Sequence, residues 1–253
     1  SCIGPRPAYY FSPFNTTSQY YHAIPLTSDS IKSATYANVV LTNGVANYRG
    51  SDKLYGIQAS MHRSHNGKFL QGYYGAGVSI GRYEVKEYKG PYNIDSATPV
   101  IEIPGSNKNF GSYGLNGGVN IVWSFGNGGE WRIIGVEASL QNELGSYLQF
   151  RKLLPSESIG VVETRNITNT VGVFTECIWK RRNKVELGYK MALGGSFLSK
   201  KYYLGYSSKE PVYFSNTLHI TRANITGFTQ INIGTSAYNF QTGINVRIGR
   251  KKR

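Results

Sequence analysis

The sequence predicts an all-β fold, an antiparallel up-and-down β-barrel of about eight strands, and three observations support this prediction. The 253 residues include 30 Gly and 20 Tyr, and Gly disfavours helices whereas Tyr fits strands. Runs of alternating apolar and polar residues recur from about residue 52 onward. Short turns join these runs in pairs, which is the pattern of consecutive β-hairpins.

Four hairpins account for the predicted strands. Two of them contain the Asn-Gly dipeptide of type I′ turns, at Asn66-Gly67 and Asn127-Gly128, and weaker turns lie at Arg182-Asn183 and Thr235-Ser236. The predicted strands occupy residues 53–65, 68–86, 112–125, 130–153, 170–181, 184–197, 216–233 and 238–249. A two-residue turn fixes the register, so residue 57 is expected opposite residue 76, and residue 115 on the same face as residue 140.

The register of the hairpin at 170–197 has two solutions. A two-residue turn sets the apolar residues of its second strand opposite Glu176, and a three-residue turn sets them opposite Cys177. We favour the second solution because it places Glu176 and Lys190 together on the polar face.

Each hairpin separates into an apolar face and a face of Gly, Ser, Asn and Gln. Small, uncharged polar residues suit the crowded inside of a narrow barrel, and apolar stripes of about nine to eleven residues match tilted membrane-spanning strands. Aromatic residues near the stripe ends suit an interfacial girdle. We therefore expect a membrane-spanning barrel with its apolar face outward. The alternative is a soluble, lipocalin-like barrel with an apolar interior.

The outward orientation assigns two sets of residues. The predicted lipid-facing belt consists of Tyr55, Ile57, Val78, Leu115, Ile121, Trp123, Val136, Leu187, Tyr189, Phe240, Ile244 and Val246. The predicted polar network in the lumen consists of Gln58, Asn116, Glu137, Glu186, Lys190, Gln230, Asn245 and Arg247. We expect this network to be structural, with its charges pairing one another.

The net charge of +14 arises from 28 Lys and Arg against 14 Asp and Glu, with charged residues only 17% of the chain. Scarce acids, not abundant bases, create this balance, so no nucleic-acid partner is expected. The bases gather near the predicted strand ends, where they suit anionic lipid headgroups. No run approaches about 18 apolar residues, so no transmembrane helix is predicted.

The four histidines have no metal-ligand spacing, and no cofactor or metal is expected. His62-Arg63-Ser64 resembles the His-x-Ser element of outer-membrane lipid A deacylases, which would imply a serine nucleophile and a histidine base. No acid follows at that family's spacing, and we expect no enzymatic activity.

The layout resembles the eight-stranded outer-membrane β-barrels of Gram-negative bacteria, and the strand Tyr238–Ile248 resembles their closing strand. Ser1-Cys2 resembles the end of a lipobox, in which Cys2 becomes lipid-modified. Together these features look like a lipid-anchored barrel of the Bacteroidota type. The resemblance implies a lipoprotein tether at 1–51, with residues 33–48 as an optional strand, a barrel at 52–249 and a basic tail at 250–253. It also implies an outer-membrane location, with both termini on the long-loop side and exposed at the cell surface.

The expected function is that of a non-catalytic structural or accessory subunit, for example in an outer-membrane protein-assembly or export complex. Its partners would be outer-membrane lipid and other outer-membrane proteins. One alternative is a barrel that binds a lipid or glycan, and another is a lipid hydrolase using His62 and Ser64.

Overall fold

The computed structural model describes residues 8–29, 31–47, 51–90, 101–125, 128–154, 160–181, 185–197, 211–235 and 237–248. Its elements are, in chain order, β1 (Ala8–Tyr10), α1 (Phe14–Thr17), β2 (Ser33–Ala46), β3 (Asp52–Asn66), β4 (Leu70–Val85), β5 (Tyr88–Gly90), β6 (Ile101–Ile103), β7 (Ser106–Ser124), β8 (Glu130–Leu144), α2 (Ser146–Leu153), β9 (Gly160–Val162), β10 (Ile167–Lys180), β11 (Val185–Ser196), β12 (Val212–Arg222), β13 (Ile225–Gly234) and β14 (Ala237–Ile248).

Ten antiparallel strands form a closed barrel in the order β10-β11-β12-β13-β14-β2-β3-β4-β7-β8. The last strand pairs with the first, with Ile244 opposite Val39, and β8 pairs with β10. Closure gives every barrel strand two neighbours, so no strand edge is left open. Two small sheets, the parallel pair β1–β9 and the antiparallel pair β5–β6, accompany the barrel. The predicted all-β barrel class is confirmed.

The barrel has ten strands where the sequence predicts eight. One addition is β2, so the barrel wall begins at Ser33 and not at residue 52. The other arises because the predicted strand 216–233 is two strands, β12 and β13, joined at Ala223 and Asn224. Ala223 has φ 56°, a conformation that alanine rarely adopts, so neither Gly nor Pro marks this turn in the sequence.

Three of the four predicted registers are confirmed, and one of them is the two-residue turn at Thr235-Ser236, which pairs Ile233 with Tyr238. Leu115 pairs with Leu140, as the turn at 127–128 predicts, although a bulge near Ile121 shifts the pairs closest to the turn. Cys177 pairs with Tyr189, which is the three-residue solution for the hairpin of β10 and β11.

The first hairpin differs, because Ile57 pairs with Ile80 and not with residue 76. The connection runs through Phe69 and is longer than the Asn-Gly dipeptide predicts, with Gly67 N–H donating to Leu70 O. The shift of four residues is even, so every side chain keeps the face that the sequence predicts.

The two ends of the barrel differ in their connections. The turns β3–β4, β7–β8, β10–β11 and β12–β13 lie at one end, which we call the turn end. The longer connections β4–β7, β8–β10 and β11–β12 lie at the other, which we call the loop end. Ser33 and Ile248, the two ends of the barrel wall, both lie at the turn end. The C-terminal end of the wall therefore does not lie on the predicted long-loop side, because β2 adds a strand before the first hairpin, whereas Ala8, the first described residue, does lie at the loop end.

Apolar side chains cover the outside of the barrel, and Leu115, Val78 and Ile80 are 61%, 58% and 66% exposed. Polar side chains fill the inside, including Gln71, Asn232 and Arg132, each almost completely buried. Within the described ranges, no helix has the length and apolar character needed to cross a membrane.

We expect Ala223→Gly to raise the free energy of unfolding by about 1 kcal/mol, because glycine adopts positive φ without the steric cost borne by alanine. Urea titration of the protein folded in detergent measures this change. Ala138→Gly is the matched control in the middle of β8, where glycine should lower stability by about 0.5–1 kcal/mol. Equal losses in both variants would contradict the strained turn.

Candidate functional site

Residues 8–27, which we call the lumenal segment, occupy the interior of the barrel. Tyr10, Phe14, Tyr20 and Leu26 along this segment are all at most 4% exposed. The segment starts at the loop end, where β1 pairs with β9, and reaches the turn end, where Thr27 N–H donates to Glu130. The sequence predicts a tether over residues 1–51, whereas the structure places residues 8–27 inside the barrel.

The barrel wall holds the lumenal segment by hydrogen bonds to backbone carbonyls. Gln58 Nε2 and Gln241 Nε2 both donate to Thr17 O at 3.0 Å. Gln230 Nε2 donates to Gln19 O at 2.9 Å, and Asn232 Nδ2 donates to Thr16 O at 3.0 Å. The carbonyls of Thr16 and Thr17 lie in the last turn of α1, where a helix leaves carbonyls without intrahelical partners, and amides of the wall supply those partners.

A buried charged cluster fastens the lumenal segment near the turn end. Arg132 donates from Nη1 to Glu176 Oε2 at 2.7 Å and from Nη2 to Ile24 O at 3.0 Å. His219 Nε2 lies 2.8 Å from Glu176 Oε1, and the Tyr21 ring stacks on the His219 ring with centroids 4.1 Å apart. Both charges of the ion pair are satisfied, and one of them also binds the segment backbone.

A second buried cluster fastens the segment at the loop end. Arg151 of α2 forms an ion pair with Glu143 at 2.5 Å, and Ser12 Oγ donates to the same carboxylate at 2.6 Å. Glu163 Oε2 accepts from Ser12 N–H at 3.0 Å and from Asn15 Nδ2 at 2.8 Å. Burial raises the pKa of the Glu163 carboxyl, whereas the Arg151 guanidinium acts to lower that pKa.

The structure places most of the predicted polar network on the inner face. Gln58, Asn116, Glu137, Lys190, Gln230 and Asn245 are buried there. Lys190 Nζ lies 2.5 Å from Glu137 Oε2. Glu186 and Arg247 lie near the turn end and are only partly buried, and Arg247 donates to Asn224. Several members bind the lumenal segment, in addition to pairing with one another.

The predicted belt residues point away from the lumen. Ten of them are 41–63% exposed: Tyr55, Ile57, Val78, Leu115, Ile121, Trp123, Val136, Phe240, Ile244 and Val246. Leu187 and Tyr189 are partly exposed.

Arg132 is a lumenal residue that the sequence pattern does not predict. Strict alternation along β8 from Glu137 would turn Arg132 outward. The β-bulge that sets Ile121 opposite Ile134 and Val122 opposite Arg132 reverses the alternation, so Glu130 and Arg132 point inward. Glu130 and Arg132, two charged residues at alternate positions next to a turn, are the one sequence signal for this inward orientation.

The two residues of the deacylase-like element each contact a backbone carbonyl inside the barrel. His62 Nε2 lies 3.0 Å from Ala23 O, and the His62 ring stacks on Tyr36. Ser64 Oγ donates to Ala34 O at 3.3 Å, and both side chains are at most 1% exposed. Within the described residues, no three His, Cys, Asp or Glu side chains are placed to hold a metal ion.

No family model matches the chain, and no curated protein matches it. Solved structures with a similar architecture include the translocator domain of the autotransporter NalP from Neisseria meningitidis, at 13% identity over 86% of this chain and 89% of that chain, with a TM-score of 0.42. The transport unit of the autotransporter AIDA-I from Escherichia coli has 11% identity over 93% and 95%, with a TM-score of 0.42. The outer-membrane expressed OmpT of Vibrio cholerae has 9% identity over 87% and 99%, with a TM-score of 0.27.

We expect Arg132→Met to lower the free energy of unfolding by about 3–5 kcal/mol, because it leaves Glu176 buried without its ion-pair partner. Urea titration in detergent measures the loss. Adding Glu176→Leu should recover part of it, since the uncompensated charge is then removed. Arg63→Met on the exposed outer face is the matched control and should change stability by less than about 0.5 kcal/mol. Equal effects of the two single variants would contradict the cluster.

Proposed function

We propose that the protein is a non-catalytic β-barrel of the Gram-negative outer membrane that serves as a structural or accessory subunit, with its lumen closed by its own N-terminal segment. The observation that carries the proposal is the inverted distribution of side chains, apolar outside and polar inside, around a filled lumen.

The outer surface supports membrane insertion. A closed barrel pairs all backbone groups of its wall internally, as the bilayer interior requires. Leu41, Met61, Leu115 and Leu193 leave more than half of their surface exposed on strands from opposite sides of the barrel. In water an apolar band of this extent would cause association, whereas hydrocarbon lipid tails would cover it. A soluble barrel with an apolar interior is contradicted by the polar interior.

The filled lumen favours a structural function over transport. The lumenal segment passes from one end of the barrel to the other and is tied to the wall near both ends, through Ser12 and through Ile24. A small barrel filled by side chains offers no open channel, and here a chain segment fills it as well. The same occupancy leaves no room in the lumen for a lipid or glycan.

The exposed elements at the loop end support the proposed accessory function. The loop end presents the hairpin β5–β6 and the helix α2, whose Leu153 is 84% exposed. Loops on a rigid scaffold are the usual carriers of binding. A lipid on Cys2 would anchor the chain further, and this residue lies outside the described part of the chain. The proposed partner is another outer-membrane protein, such as a component of an assembly or export complex.

A conductance measurement tests the closed lumen. In planar lipid bilayers we expect the purified protein to show no steady channel openings, because the lumenal segment fills the barrel. A variant lacking residues 8–27 should conduct ions. The triple variant Gln58→Ala, Gln230→Ala, Gln241→Ala, which keeps the segment but removes its carbonyl partners, should open intermittently. Asn43→Ala on the outer face is the control. Steady conductance of the unaltered protein would disprove the closed barrel.

Site-specific photo-crosslinking in native membranes tests the subunit function. A photoreactive residue at position 153 on α2 should yield one discrete protein adduct, because this position is exposed beyond the barrel. The same residue at position 231, where Ile231 is 50% exposed on the belt, should react with lipid. Mass spectrometry identifies both adducts. If position 153 yields no protein adduct, the accessory function is wrong, whereas the membrane location is judged separately by position 231.

A further inference from the structure

A furrow runs around part of the outer face, across five neighbouring strands. Its floor is the backbone of Asn38, Ser60, Gly77, Gly114 and Gln141. The side of the furrow toward the loop end is the row Val39, Ala59, Val78, Tyr113 and Asn142, and the other side is the row Ala37, Met61, Ala76, Leu115 and Leu140. The furrow therefore follows the hydrogen-bonding direction of the sheet over four strand spacings, about 19 Å.

Small side chains make the furrow deep. Ala37, Ala59 and Ala76 lie on three adjacent strands, where bulky side chains cover most of the belt. The furrow is open along its outer side, its volume is about 1000 Å³, and its walls are mainly apolar. A flexible hydrocarbon chain fits a long, narrow and apolar space of this kind.

The furrow is inclined to the barrel axis. Asn142 lies close to the loop end of β8, whereas Val39 in the same row lies near the middle of β2. Strand tilt of about 35–45° produces this slope. In a membrane the furrow would descend from the interface at the loop end toward the bilayer centre.

The upper end of the furrow carries uncharged polar groups on the outer face. Asn142 Nδ2 donates to Tyr113 Oη, and Asn166 Nδ2 donates to Asn142 Oδ1 at 3.0 Å. Because Tyr113 Oη is the acceptor, its own proton can be donated outward.

We infer that the furrow binds a membrane lipid of the leaflet at the loop end, with one acyl chain along Ala37, Ala59 and Ala76. The lipid's ester or amide carbonyl accepts from the Tyr113 hydroxyl, at the end of the furrow that Asn142 and Asn166 border. The arrangement of side chains along the furrow supports this assignment. Polar groups lie at the end near the membrane interface and apolar walls lie toward the bilayer centre, which matches the headgroup and acyl chain of a lipid. The inference rests on the membrane location proposed above.

Native mass spectrometry of the full chain, purified in mild detergent from the membranes that contain it, tests the inference. The unaltered protein should retain one lipid of defined mass. The furrow-filling variant Ala59→Leu, Ala76→Leu should reduce the lipid-bound fraction at least tenfold, and Ala138→Leu, on the belt outside the furrow, should not. Tyr113→Phe should weaken retention about fivefold, the effect of one lost hydrogen bond, whereas Tyr55→Phe should not.

Three results would overturn the inference: no retained lipid, equal retention in filled and control variants, or a protein in place of lipid at the furrow. Heat-modifiable electrophoretic mobility shows for each variant that the barrel is folded. Failure of the membrane proposal is distinguishable, because a protein that stays folded and monodisperse without detergent would refute that proposal directly. A folded, detergent-dependent protein without lipid would refute the furrow site alone.

Discussion

The pairing of every buried backbone group is the constraint on which the rest of the structure depends. In the wall, closure of β14 against β2 completes the hydrogen-bond ladder around ten strands. Beyond β1 the lumenal segment belongs to no described sheet, and its carbonyls from Thr16 onward would be buried without partners. Side-chain amides of the wall supply those partners, for example Gln241 to Thr17 and Asn38 to Tyr21. The abundance of Asn and Gln on the inner face follows from this requirement.

The two charged clusters determine where the lumenal segment begins and ends inside the barrel. Arg132 and Arg151 lie near opposite ends, and each pairs with a carboxylate while the cluster also binds the segment backbone. Buried ions are costly unless they are paired and hydrogen-bonded, so these contacts are formed together or not at all. The lumenal segment is consequently fixed in one position along the barrel axis, and it fills the lumen.

The outer surface is apolar where the lumen is polar, because lipid hydrocarbon would cover it in the membrane that we propose. Its apolar residues are exposed, and basic residues such as Arg63, Arg82 and Lys53 lie toward the strand ends. The net charge of +14 thus comes from basic residues near the two ends of the barrel, because the apolar belt contains few charged residues. The furrow, which Asn142 and Asn166 border, interrupts the uniform apolar belt, and we propose that a specific lipid contact forms there.

The sequence by itself determined the fold class, the apolar and polar faces of most predicted strands, and the register of most hairpins. These properties depend on the two-residue period of a strand, which can be read from the local sequence. An error in register by an even number of residues, as at Ile57 and Ile80, leaves each side chain on its predicted face. Only the tertiary structure decided the strand count, the inward orientation of Arg132, and the position of the lumenal segment. No Gly or Pro indicates the positive φ at Ala223, and only the alternate charges of Glu130 and Arg132 indicate the bulge in β8, because neighbouring strands impose both features. Residues 8–27 lack alternation because partners on distant strands, not on an adjacent one, satisfy their backbone.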